Sequence, residues 1–176
     1  MVTEVLDIVD TTVKIGLGAV IGGVTTYYIT KLKDTQEIAQ DNRRRKLEFI
    51  ANGLDAADAY IVALGNLLGS LDGLRLDNPK AQTIDETGEK DFVEKYDGAL
   101  QDTILQRNRA FSRLRISGQT IAAEQLNALH KLEDEIRVSV IFQGELPTTE
   151  KLESWFGLFK KARETFLNEI SKTYQG

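Results

Sequence analysis

Sixteen consecutive residues without a charge, Ile15 to Thr30 (IGLGAVIGGVTTYYIT), constrain this chain more than any other stretch. Lys14 stands before the run, Lys31 and Lys33 after it, and from Asp34 onward the chain is charged and amphipathic. As a helix the run rises about 24 Å, against a hydrocarbon core of roughly 30 Å. The apolar stems of Lys14 and Lys31 make up part of the difference, because their ammonium groups reach the interface. Ile8, Val13 and Leu32 lengthen the apolar face, and Tyr27 and Tyr28 fall at the basic end, where an aromatic belt sits. The run therefore reads as a membrane span, with Ile15, Gly18, Gly22, Thr25, Tyr27 and Tyr28 along it.

Two other readings stay open. One is a helix buried in a protein interface or self-associating through it. The other is a phosphate loop on Gly16-x-Gly18-x-x-x-Gly22, which lacks the strand and βαβ setting that such a loop needs. A cleaved signal peptide is disfavoured, since Met1 to Asp10 carries Glu4, Asp7 and Asp10 and no base. Gly18 and Gly22 form a GxxxG pair that Ala19 and Gly23 repeat one residue on, a face that lets helix backbones approach closely in lipid. A homo-oligomer is the expected consequence. Basic residues follow the run (Lys31, Lys33, Arg43, Arg44, Arg45, Lys46) while Lys14 alone precedes it. The positive-inside rule then puts the N-terminus outside a cell inner membrane and the C-terminal part in the cytoplasm.

At 176 residues, the chain has room for a membrane anchor (1–33), a polar helical stalk (34–46) and one cytosolic helical bundle (47–176). A net charge of −5 and a pI near 5.0 argue against nucleic acid as a partner. The absence of Cys removes disulfides and thiolate metal sites and suits a reducing compartment.

The predicted fold is all-α, a short transmembrane helix followed by an antiparallel four-helix bundle. Leu47, Ile50, Leu54, Ala57, Ile61, Leu64, Leu68 and Leu71 alternate steps of three and four, the seam of a coiled coil or bundle helix. Asp72-Gly73 is the expected end of that helix, and 75–88, with Asn78-Pro79, the longest loop. A second helix is expected from Glu89 to Ser117, with Val93, Tyr96, Leu100, Ile104, Phe111 and Leu114 on its apolar line. Arg107 interrupts that line, which signals either a buried ion pair or a misphased pattern. After the stop at Ser117-Gly118, a third helix runs to Gln143-Gly144, and Thr148 is the expected N-cap of the last. Short connections favour antiparallel neighbours.

Reaction chemistry is hard to place. His130 is the sole histidine and Asn127 stands three before it, so the Glu-x-x-His pair of di-iron bundles is absent. Zinc has one His and no Cys to bind, and no Ser, Thr or Lys sits in a nucleophile motif. No catalytic residue, metal or cofactor is expected. Glu133-Asp134-Glu135 reads as a solvated face. Arg107, Arg109, Arg113 and Arg115 are a candidate anion-binding group, although cations near a helix C-terminus are favourable in themselves.

The Gly-rich span and its basic flank (IGLGAVIGGVTTYYITKLK), then RRRKLEFI, then RLRISG at a later helix junction, resemble small bacterial and phage single-pass membrane proteins. The resemblance implies that topology and a bacterial or phage source. The expected function is a membrane-anchored, non-enzymatic interaction or scaffold module that self-associates and binds a protein partner. Two alternatives stand beside it: a ligand-gated membrane effector of the phage-defence type, whose bundle senses a small anionic signal, and a soluble bundle with a buried N-terminal oligomerisation helix.

Overall fold

The computed structural model describes residues 40–173 in full and, beyond them, the helical backbone of 2–39 and 174–175. The expected span Ile15 to Thr30, with the Gly18, Ala19, Gly22 and Gly23 face, lies outside the residues described in full. Among the described residues no helix is long and apolar enough to cross a membrane.

All elements are helical: α1 Val2–Asp77, α2 Ile84–Thr87, α3 Lys90–Gln101, α4 Ile104–Ile116, α5 Thr120–Ile136 and α6 Thr149–Gln175, with a π-helical turn Arg137–Phe142 extending α5. The chain divides into two compact units, Met1–Lys46 and Leu47–Gly176. In the first, residues 40–46 are exposed, and Arg45 pairs with Asp41 one turn earlier at 2.9 Å. A solvated pair of this kind contributes a few tenths of a kcal/mol.

The second unit is a helical bundle built against the Leu47–Asp77 part of α1. Ile50, Ala57, Ile61, Leu64, Leu68 and Leu71 of the expected seam are buried, and Leu47 and Leu54 are half-buried. Tyr60, Ala63, Leu67, Ser70 and Leu74 are buried as well, so the inward face is wider than a two-helix seam. The reason is that α1 has several neighbours. Gly53 lies against Leu114 of α4, Tyr60 reaches Glu133 of α5, and Gly65 lies under Phe159 of α6. A helix in contact with three others must be apolar over most of its circumference. Elsewhere α5 packs on both α4 and α6, and Trp155, Phe166, Leu126 and Leu129 fill the space between.

Three features of the connections differ from expectation. α1 passes through Asp72-Gly73 and ends at Asp77, where the Arg75 guanidinium is anchored across two loops. It donates to Leu146 O (2.7 Å), Pro147 O (2.8 Å) and Ala81 O (2.8 Å). The connection after α1 holds the short α2, capped by Thr83, and pairs with the loop before α6 through Ile84 N to Gly144 O and Leu146 N to Gln82 O. The single helix expected over 89–117 is interrupted at Asp102-Thr103, where the Thr103 amide and hydroxyl both donate to Leu100 O, at 3.0 and 2.7 Å. A threonine hydroxyl that bonds the preceding turn competes with the helical ladder. The third helix closes at Gln143-Gly144 as expected, but its last turn is π-helical, with Gln143 N donating five residues back to Val138 O.

The turns at Gly118 and Gly144 adopt φ of 83° and 70°, a conformation that favours glycine. Thr148 caps α6 by accepting from Lys151 N at 3.3 Å. Its hydroxyl also helps hold the Glu150 carboxyl below the ordinary carboxylate range, after the larger effect of Glu150's own backbone N–H.

Leu64 is fully buried in the middle of this face. Leu64→Asp is expected to lower stability by roughly 3 kcal/mol or more, because an unpaired charge is placed in a close-packed core. Urea denaturation followed by circular dichroism measures it, and a change below about 1 kcal/mol contradicts the packing described.

Candidate functional site

Polar chemistry inside the bundle is concentrated where α1, α4 and α5 meet. Glu133, expected on a solvated face, is buried instead. Its Oε2 accepts from Arg107 Nη1 at 2.8 Å and from the Tyr60 hydroxyl at 2.9 Å. Arg107 continues the line of Leu100 and Leu114 into the core and is buried with them, so its break in the apolar pattern is a buried ion pair. The guanidinium stacks over the Tyr60 ring, 5.5 Å from the centroid, and donates from Nε and Nη2 to Asn108 Oδ1 at 3.3 and 3.1 Å.

His130, one turn before Glu133, completes the cluster. Arg107 Nη1 contacts His130 Nδ1. The His130 Nδ1 also lies 3.4 Å from Glu133 Oε2, and its Nε2 lies 3.6 Å from Asp134 Oδ2. A cleft of about 180 Å³ opens onto Arg107, Asn108, Phe111, Leu126, Asn127 and His130. Among the described residues no buried side-chain polar atom lacks a partner, so the cluster is a closed network. Burial pushes the Tyr60 phenol well above its ordinary value, and the Glu133 charge adds to the rise while Arg107 opposes it.

The four arginines of the candidate anion group do not converge. Arg107 faces Glu133. Arg113 donates to Asn52 O of α1 at 3.0 Å and lies over Phe49. Arg115 lies over Phe111 on its own helix, and Arg109 is exposed. At about 100° per residue, Arg107 and Arg109 point to opposite sides of α4. Among the described residues no group of three or more His, Asp or Glu side chains is placed to hold a metal ion.

A wider concavity lies elsewhere, on the side of α1 turned away from Tyr60. It is a groove of about 800 Å³ between α1 and α3. Gly65, Gly69 and Gly73 are spaced one turn apart along its floor, with Asn66 and Ser70 between them. A methyl group added at Gly65 would press on Phe159, whereas Gly69 and Gly73 have no atom within 4 Å of that position. Phe92 and Tyr96, in edge-to-face contact at 5.0 Å, form the α3 wall, and Phe92 is 40% exposed. Asp77 and Glu89 stand at the end of the groove, and no Lys or Arg lines it. The sequence signal for this site was the glycine spacing at 65, 69 and 73. In a helix read for its apolar seam that spacing goes unused, and Gly73 reads with Asp72 as the end of the helix.

Two outcomes follow for the buried cluster. Arg107→Met leaves the Glu133 carboxylate buried without its cation, and the expected loss of stability is about 3–5 kcal/mol. Most of this is expected to return in the double variant Arg107→Met/Glu133→Leu, since the orphaned charge is then gone. Urea denaturation of both variants decides it, and a single-variant cost under about 1 kcal/mol refutes the pairing. The second outcome concerns pH. The folded phenol of Tyr60 holds its proton above the ordinary value of 10.0, so the unfolded chain releases its proton first. The Tyr60 contribution is thus full below that pH and falls as pH rises past it. Wild-type stability should decline more steeply above that pH than that of Tyr60→Phe, and equal slopes in a denaturation series would contradict the assignment.

Compared with protein-family models, with curated proteins and with solved structures, the chain matches none.

Proposed function

We propose that this chain is a membrane-tethered, non-enzymatic docking module whose cytoplasmic helical bundle receives a partner in the groove between α1 and α3. The observation that carries this reading is the groove itself. Two glycines with open space above them and an exposed aromatic wall form a surface that the bundle leaves uncovered. Glycine inside a helix costs roughly 1 kcal/mol relative to alanine, and no internal contact offsets that cost at Gly69 and Gly73.

In this reading Ile15 to Thr30 is the single transmembrane helix, oriented by the basic residues that follow it. The Leu47–Asp77 part of α1 and α4, α5 and α6 are the long members of an antiparallel four-helix bundle. Self-association is assigned to the Gly18, Ala19, Gly22 and Gly23 face, which leaves the α1–α3 groove for another molecule. The mutual satisfaction of Arg107, Glu133, Tyr60 and His130 supports a structural rather than a reactive role for the buried cluster.

Fractionation and site-directed crosslinking test the two halves separately. The full chain is expected to pellet with membranes, and a chain starting near Thr35 to stay soluble; equal solubility of both without detergent would remove the tether. A photo-reactive residue in place of Asn66, in the groove floor, should give an adduct of one defined mass in cells, while the same residue at exposed Lys160 of α6 should give none. Equal labelling at both positions would remove the docking surface.

A further inference from the structure

We propose that the occupant of the α1–α3 groove is a basic amphipathic helix of a partner protein, an inference that rests on the docking reading above and adds the chemistry of the partner. Shape comes first. Val62, Asn66, Gly69, Gly73 and Leu76 recur at steps of three and four on one exposed face of α1, and Val62 and Leu76 are largely open to solvent. From Gly65 to Asp77 the floor is about 18 Å long, which matches roughly three turns of a helix. Bare glycine backbone along the floor lets a second helix axis approach closely, and Phe92 and Tyr96 supply an apolar wall for its anchor residues.

Charge then selects the kind of helix. Among the groove-lining residues the ionisable groups at neutral pH are Asp77 and Glu89, both exposed carboxylates. Neither has an ion-pair partner among the described residues, and no lining residue is cationic. An incoming Lys or Arg therefore meets opposite charge at the groove end, which favours encounter and fixes direction. The same observation disfavours a second copy of this chain as the occupant. In a two-fold contact through this groove, Asp77 and Glu89 of each copy would meet no Lys or Arg from the other copy's groove, in a chain that already carries a net charge of −5.

The experiment uses the full chain in a non-ionic detergent and two fluorescent peptides of about 18 residues, five helical turns. Both carry Leu at helical i, i+3, i+4, i+7 spacing; one has Lys and the other Glu at every remaining position. Anisotropy titrations are corrected for binding to detergent alone, and sedimentation reports the oligomeric state. The Lys peptide is expected to bind at least about tenfold more tightly than the Glu peptide, with affinity falling as salt rises. Gly69→Leu fills open space on an exposed helix face, so it should leave the thermal melt in place and abolish binding. Asp77→Lys/Glu89→Lys should reverse the preference between the two peptides.

If the Glu peptide binds as well as the Lys peptide and Gly69→Leu blocks both, the groove is a docking surface and the basic-helix inference is overturned. It is likewise overturned if the chain self-associates and Gly69→Leu dissolves that assembly, since a second copy is then the occupant. Binding of neither peptide, with no effect of Gly69→Leu on assembly, removes both this inference and the docking reading beneath it.

Discussion

A carboxylate inside a protein core is costly unless its charge is met, and Glu133 is met from two other helices. Arg107 of α4 provides the cation and Tyr60 of α1 a second donor to the same oxygen. Removing either charge alone is far more damaging than removing both, which is why such a cluster defines how its helices sit. Tyr60 must point at Glu133, so α1 cannot rotate about its axis. Gly69 lies nine residues further on, about 180° around at 100° per residue. The constraint that turns Tyr60 inward thereby turns the glycine floor out toward solvent.

The loops repeat this logic at the other end of the bundle. Arg75 gathers carbonyl oxygens from the connection after α1 and from the loop before α6, and the Thr83–Glu145 bridge joins the same two segments. Loop carbonyls that have no helical partner are thus gathered on one guanidinium, whose planar fork suits several acceptors at once. This fixes where α3 begins, and α3 carries Phe92 and Tyr96 to the edge of the groove. The Asp97–Arg137 pair at 2.8 Å then ties α3 to the π turn that extends α5. The groove between α1 and α3 is consequently a property of a braced frame.

The two faces of α1 differ in kind. The inward face of α1 holds the core and the ionic cluster, which are internally satisfied. The outward face has small residues and Asp77 at its end, with Glu89 and an aromatic pair of α3 beside it, and nothing in the second unit covers Gly69 and Gly73. A docking interface, as proposed for this face, gains affinity from a few apolar anchors and direction from charge. That division is what the proposed tethered module requires, since a tether would raise local concentration and leave selectivity to the groove.

The sequence by itself determined the helical class, the inward positions Ile50, Ile61, Leu64, Leu68 and Leu71, the turns at Gly118 and Gly144, and the Thr148 cap. These signals are local: periodicity and capping act within a turn or two, and a residue need know only its near neighbours. Arg107 was legible as an anomaly, because a cation had broken an apolar line. Its partner was not legible, since Glu133 lies within a run of acids and any local pattern reads such a run as solvated. Only the tertiary structure decided that Glu133 turns inward, that Arg75 clasps Leu146 and Pro147, and that Gly69 and Gly73 face open space. Tyr60 and Glu133 are 73 residues apart, and Arg75 and Pro147 are 72. At such separations the chain brings groups together only through the packing of whole helices, so their pairing is set by the assembled core.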